Sequence, residues 1–251
     1  CSSDLRAFDQ VLMDVALHRL GVTFVLDRAG ITGPDGASHN GMWDHSLMSL
    51  VPGLRLAAPR DERRLREALD VAVAVDDAPT VIRYSKEPLP SPLEAVARRG
   101  SVDVLADTPG ARLLIVGYGQ FAELAVDVGH RTGDQGIPAT VVDPVWALPV
   151  SPDLVDLCRG YDAIVTIEDS GVVGGLGARL AQELRGAGVT VPVQTVGIPQ
   201  EFLEQATRAE LIEEHGLSAQ AIARRLVESS VAMDAPGAVG VDDVAARPPL
   251  G

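Results

Sequence analysis

Apolar positions at near-helical spacing open the chain. In DLRAFDQVLMDVALHRL, Leu5, Phe8, Leu12, Val15 and Leu20 fall along one stripe, with Ser2 or Ser3 in front as an N-cap, and this predicts a helix. GVTFVL reads as a short buried strand ending at Asp27-Arg28. The stretch RAGITGPDGASHNG, from Arg28 to Gly41, carries Gly30, Gly33, Gly36 and Gly41 and reads as a turn system. A helix around Asp44–Leu50 and a strand near Leu54–Ala57 follow, the latter broken by Pro59. RDERRLREALDVAVAV predicts a helix with Leu65, Ala68, Leu69 and Ala72 facing inward, and TVIRYS a strand.

Pro88, Pro90 and Pro92 alternate in KEPLPSPLEAVARRG, which favours an extended connector over residues 88–104. Beyond it the alternation resumes. RLLIVGYG, ATVVDP, DAIVTIED and VPVQTVG read as strands. Helices are expected at Phe121–Thr132, Pro152–Arg159, Leu176–Arg185, Arg208–Glu214 and Ala219–Glu228. Strands alternating with helices on both sides of the connector predict an α/β chain with two doubly wound, mostly parallel-sheet domains. The expected division is 1–87, a connector at 88–104, 105–230, and a disordered Ala-, Gly- and Pro-rich tail at 231–251.

Composition narrows the partners. A formal net charge of -14 argues against nucleic acid and anionic membrane surfaces, so any anionic substrate must be met by local cations. Cys1 and Cys158 form no metal or redox spacing, which fits a reducing, cytoplasmic setting. No apolar run reaches the length that spans a bilayer, and no signal peptide is visible. The chain opens on Cys1 and runs straight into a helical pattern, as expected of a chain that begins inside a domain.

The candidate chemistry sits in DRAGITGPDGASHNG. It places Arg28, Asp35 and His39 in one loop after the carboxyl end of a strand, where open α/β sheets bind ligands. Arg28 is a fixed cation suited to phosphate or carboxylate. His39 offers an imidazole, which can act as acid or base. Asp35 can orient the loop or accept from a substrate hydroxyl. An ordinary Gly-rich surface turn would show the same composition. GVVGGLG, between a strand and a helix, resembles a phosphate-cradling turn but lacks the dinucleotide spacing. Glu168 and Asp169 stand at a strand end, in functional, helix-capping or interface roles. His18, His45, His130 and His215 show no ligand spacing and read as surface or packing residues.

Residues 5–228 resemble the 1-deoxy-D-xylulose-5-phosphate synthase family of transketolase-like enzymes. The likeness rests on RAFDQVLMDVALHRLGVTFVLDRAGITGPDGASHNGMWDHS, above all on Asp27-Arg28-Ala29-Gly30 and the Gly-x-Asp-Gly-x-x-His pattern ending at His39. APRDERRLREAL, APTVIRYSKE, VTIEDSGVVGGLG and VPVQTVGIPQEF follow in the family's order.

The resemblance implies a pyrimidine-binding domain, incomplete at its N-terminus, followed by a transketolase C-terminal domain. It implies thiamine diphosphate as cofactor, with Mg²⁺ ligands and the activating glutamate on a separate N-terminal diphosphate-binding domain. In that family pyruvate is decarboxylated and the two-carbon unit passes to glyceraldehyde 3-phosphate, for isoprenoid, thiamine and pyridoxal synthesis. His39 would face the cofactor and move protons. Asp35 would contact the aldehyde substrate. Arg6 and Arg28 would hold its phosphate, with Lys86 as a further substrate-binding candidate.

Three positions depart from the family pattern. Lys86 stands where the family has arginine, Glu87 follows it, and Ser3 takes the place of an aromatic residue. On this reading the chain is a homodimer-forming part of the enzyme, inactive without its N-terminal domain. A separate β-type subunit of a transketolase or 2-oxoacid dehydrogenase, and a degenerate non-catalytic dimerisation module, are the alternatives.

Overall fold

The computed structural model describes residues 5–88 and 90–234. Ser2, Ser3 and most of the expected tail lie outside these. The first helix, α1, runs through Phe8–Gln10 and widens into a π-helical turn over Val11–Ala16, where the Leu17 amide donates to the Leu12 carbonyl. The wider turn shifts the inward face: Val11 is buried, whereas Leu5 and Leu20, expected on the packed stripe, are 42% and 47% exposed.

Four strands form the first sheet. β1 (Thr23–Leu26), β3 (Thr80–Arg83) and β2 (Arg55–Ala57) are parallel neighbours in that order. Between them come α2 (Asp44–Met48) and α3 (Glu62–Val73), the latter N-capped by the Asp61 side chain on the Arg64 amide. Ala68 and Ala72 of α3 are buried, but Leu69, expected inward, is exposed. The fourth strand comes from the other half of the chain: β8 (Trp146–Leu148) lies antiparallel to β2.

The second sheet has six strands in the order β10 (Val193–Ile198), β9 (Ala163–Gly171), β6 (Leu113–Gly117), β7 (Ala139–Asp143), β5 (Val102–Asp107), β4 (Ala97–Arg99). Its parallel centre is β6, β7, β9 and β10. β6 and β7 are buried at every position, which is why they read as continuous apolar runs. Helices α4 (Phe121–Asp134), α5 (Pro152–Cys158), α6 (Leu176–Gly186), α7 (Arg208–Glu214) and α8 (Ala219–Asp234) complete the unit. Ser151 caps α5 ahead of Pro152, and Thr207 with Glu210 forms a capping box on α7. α8 runs to Asp234, beyond its expected end at Glu228.

The antiparallel strands β4 (Ala97–Arg99), at the edge, and β5 (Val102–Asp107), beside it, were not foreseen. Their signal was present: Gly100, at φ 59°, and Ser101 form the two-residue link of a hairpin.

One apolar cluster runs through both halves, joining Val11, Met48, Leu54, Leu56 and Val81 to Val104, Leu114, Val116, Tyr118, Val142 and Leu148. Beside it lies a buried ionic cluster. Arg60 Nη1 donates to Asp103 Oδ2 at 2.8 Å and Asp143 Oδ2 at 2.7 Å, and Arg60 Nε donates to the Leu93 carbonyl. Arg64 also pairs with Asp103. Arg60, Asp103 and Asp143 are each at most 1% exposed, so removing one partner strands a buried charge. Arg60→Ala should therefore cost about 3–5 kcal/mol of stability, read as a lowered denaturant midpoint.

Burial raises the Asp143 carboxyl to about 6, against the pull of Arg60 and the Val145 amide. A carboxyl raised on folding binds more protons in the native state than in the unfolded chain. Its contribution to stability therefore grows as pH falls from about 6 towards its ordinary value of 3.8. Wild type should gain stability relative to Asp143→Asn over that window, measured by denaturant titration of both proteins at pH 7 and pH 4.5.

Candidate functional site

β1 and β3 are parallel, with Leu26 opposite Arg83, so the segments after them leave the sheet side by side. The segment after β1 is an arch. Its base is closed by Gly30 and Gly41, whose amides and carbonyls exchange hydrogen bonds of 2.8 and 2.9 Å. Above that, the Asn40 Oδ1 atom accepts from the Thr32 amide at 2.9 Å and from the Thr32 hydroxyl at 3.2 Å. Residues 29–33 and 40–42 are buried, whereas Pro34, Asp35, Ser38 and His39 at the crown are exposed. Gly36, at φ 83°, leads into the 3-10 turn Ala37–His39 that carries the imidazole.

The segment after β3 is tied to the foot of the arch by the Ala29 amide on the Tyr84 carbonyl. Two residues later Lys86 reaches the crown and its Nζ donates to Asp35 Oδ2 at 2.7 Å. That hydrogen bond lowers the Asp35 carboxyl from its ordinary value, helped by the charges of Lys86, Arg28 and His39. His39 Nδ1 lies 3.0 Å from the Ser38 hydroxyl, which among the described residues leaves Nε2 without a hydrogen-bond partner.

Of the residues singled out from the sequence, Asp35, His39 and Lys86 thus gather at one exposed crown, and Arg28, at the foot of the arch, is near enough to act on Asp35 by its charge. Arg6 does not: it is exposed ahead of Phe8, and among the described residues no hydrogen bond or ion pair joins it to the arch. The crown and Arg28 offer a carboxylate, an imidazole and two cations to a solute. That set suits a phosphorylated, hydroxylated small molecule and proton transfer beside it.

Behind the crown lies a polar layer that sequence reasoning missed. Arg83 Nε donates to Asp44 Oδ2 at 2.6 Å, and its Nη2 to the Asp169 carbonyl at 2.9 Å. Burial alone would raise the Asp44 carboxyl, but Arg83 and the neighbouring groups hold it below its ordinary value. The only sequence signal for this pair was the presence of charges inside otherwise buried segments.

Glu168 is a cap. Its carboxylate accepts from the Leu176 and Gly177 amides, both at 2.9 Å, and lies 2.9 Å from His45 Nδ1. The phosphate-like turn GVVGGLG is thus already filled by the chain's own carboxylate. His45 is fully buried, whereas His18 and His130 are exposed. Cys158 is a free, buried thiol pushed up to about 12 by burial, hence not a nucleophile near neutrality. Among the described residues, no group of three or more His, Cys, Asp and Glu is arranged to hold a metal ion.

Comparison with known proteins places both halves of the chain in one family. The transketolase pyrimidine-binding domain matches residues 2–92, and the transketolase C-terminal domain matches residues 102–222. The chain is 57% identical over 219 residues to 1-deoxy-D-xylulose-5-phosphate synthase 1 of Kitasatospora griseola, covering 87% of this chain and 34% of that protein. It is 52% identical over 246 residues to the 1-deoxy-D-xylulose-5-phosphate synthase of Clavibacter sepedonicus, covering 98% of this chain and 38% of that one. The chain therefore spans a little over a third of the length of these curated relatives.

Among solved structures, a split-gene transketolase described as an inactive β4 tetramer superposes with a TM-score of 0.76. It is 27% identical and covers 90% of this chain and 72% of its own. A Pichia stipitis transketolase mutant, 18% identical with a TM-score of 0.71 over 92% of this chain and 32% of its own, shares the fold. Carrying both the pyrimidine-binding and the C-terminal domain in their family order, the chain belongs to the transketolase family.

Proposed function

We propose that this chain supplies the pyrimidine-side and C-terminal portion of a thiamine-diphosphate-dependent transferase. The reaction is condensation of pyruvate with glyceraldehyde 3-phosphate to 1-deoxy-D-xylulose 5-phosphate and CO2, in the cytoplasm, by a homodimer. The observation that carries this reading is the crown of the arch, where Lys86 holds Asp35 at 2.7 Å beside Arg28 and His39. The identities of 52–57% to proteins of that name support it.

Bound thiamine diphosphate supplies a carbon that stabilises a carbanion equivalent. The crown fits the reactive end of such a cofactor and its acceptor. Nothing among the described residues fits a divalent cation for its diphosphate, so we assign Mg²⁺ to a separate diphosphate-binding portion. Within the crown, His39 moves a proton through Nε2, the ring nitrogen that Ser38 leaves free. Asp35, kept ionised by Lys86, accepts from the acceptor's hydroxyl. Arg28 and Lys86 face the acceptor's phosphate, with Arg6 joining them in the assembled enzyme. Lys86 offers a point charge where the family's arginine offers a fork, so it binds phosphate with less directional control.

A neighbouring reading is favoured by one observation. A split-gene transketolase of this architecture was captured as an inactive tetramer of one chain type, as a β-type subunit separated from its partner would be. Both readings have the isolated chain inactive. Calorimetry with thiamine diphosphate and Mg²⁺ should show weak or no binding to it. Tight binding with pyruvate turnover by the chain alone would overturn this view.

Supplying the diphosphate-binding portion should restore turnover, and His39→Ala should then lower kcat by about 10²–10⁴-fold in steady-state assays. A fully active variant removes His39 from its role. Replacing Lys86 by Met should raise the Asp35 carboxyl towards its ordinary value, followed by carbon-detected NMR of the side chain. In wild type the Asp35–Lys86 pair should persist above that lowered value and dissolve as pH falls through it.

A further inference from the structure

The arch is gripped from outside its own domain, and the grip is specific in its atoms. Arg208, the first residue of α7, donates through Nη1 to the Ile31 carbonyl at 2.7 Å and through Nη2 to Asp169 Oδ2 at 2.6 Å. The other oxygen of Asp169 accepts from the Ile31 amide at 3.2 Å. Both polar groups of one peptide residue in the arch are thus taken by an ion pair belonging to the second half of the chain. Asp169 is 5% exposed and the Arg208 side chain 13%, and the guanidinium also lies 5.5 Å above the Phe121 ring. Nearer the crown, Gln205 Nε2 donates to the Pro34 carbonyl at 2.9 Å, one residue before Asp35. At the far foot, the Met42 carbonyl accepts from the Ser170 hydroxyl and the Gly171 amide.

Two glycines of the arch answer to this grip. A Cβ on Gly30, at φ 77°, would fall inside the Asp169 carboxylate. One on Gly33, at φ 84°, would sit 2.8 Å from the Arg208 amide. Gly36 is different, since nothing lies within 4 Å of its added Cβ and only its own turn requires it.

We propose that Arg208 is a positioning residue: with Asp169 and Gln205 it sets the height and orientation of the arch, and so places Asp35 and His39 for the phosphorylated acceptor. The C-terminal domain is then a working part of the acceptor site. The placement in the fold stands by itself, and the link to the acceptor rests on the function proposed above.

Hydrogen exchange by NMR on the full chain tests the grip without substrate. In Arg208→Ala the Ile31 and Thr32 amides should exchange about tenfold faster, while amides of β6 and β9 keep their rates. Arg208→Lys, which keeps the charge opposite Asp169 but not the fork, should recover part of the protection. Unchanged exchange at Ile31 in Arg208→Ala overturns the proposal. Should that variant not fold, Gln205→Ala carries the test. It is expected to speed exchange at Gly36 and His39 by about fivefold, and wild-type rates there overturn the proposal.

In the enzyme assembled with its diphosphate-binding portion, Arg208→Lys should raise KM for the phosphorylated aldehyde about tenfold and leave KM for pyruvate within about twofold. An equal rise in both overturns the acceptor role. A wild-type assembly that gives no turnover refutes the functional reading, and the exchange result decides the grip independently.

Discussion

Parallel pairing of β1 with β3, from Thr23 against Thr80 to Leu26 against Arg83, obliges both strands to end at the same edge of their sheet. A glycine-rich arch and the short segment carrying Lys86 therefore emerge as neighbours, although Asp35 and Lys86 stand 51 positions apart in sequence. The Asp35–Lys86 contact is a consequence of that register. A slip of one residue would turn every side chain of β1 to the opposite face and carry the two segments out of step.

Electrostatics across the molecule follow one rule at two depths. The chain carries a formal charge of -14, and most of its arginines lie on the surface, but three do not. Arg60, Arg83 and Arg208 are spent inside, each holding carboxylates that would otherwise be unpaired in a low-dielectric setting. The exposed cations Arg28 and Lys86 are left beside the arch, where an approaching anion meets positive charge within a negative field.

Much of the architecture was legible in the sequence, for physical reasons that can be named. β6, β7 and β9 announce themselves because both faces are covered, leaving no polar alternation to confuse the run. Asp61, Ser151 and Thr207 mark helix starts by the hydrogen bonds they make. β8 was missed because three residues hold no periodicity, and its partner β2 lies some ninety positions upstream. The inward face of α1 was misplaced because a π turn changes the spacing on which any stripe is judged. In the arch, the titratable residues could be picked out by type and by resemblance. Arg208 and Gln205 could not, since their partners Ile31 and Pro34 offer only backbone oxygens and backbone atoms leave no mark in a sequence.

The strand β8 closes the edge of a sheet that belongs to the other half of the chain. The smallest portable unit is consequently larger than either sheet with its own helices. A shuffling event that moved the first half without residues 146–148 would uncover the backbone of β2, a ready template for pairing with foreign strands. Separating the two halves would thus expose a sheet edge that the intact chain keeps covered.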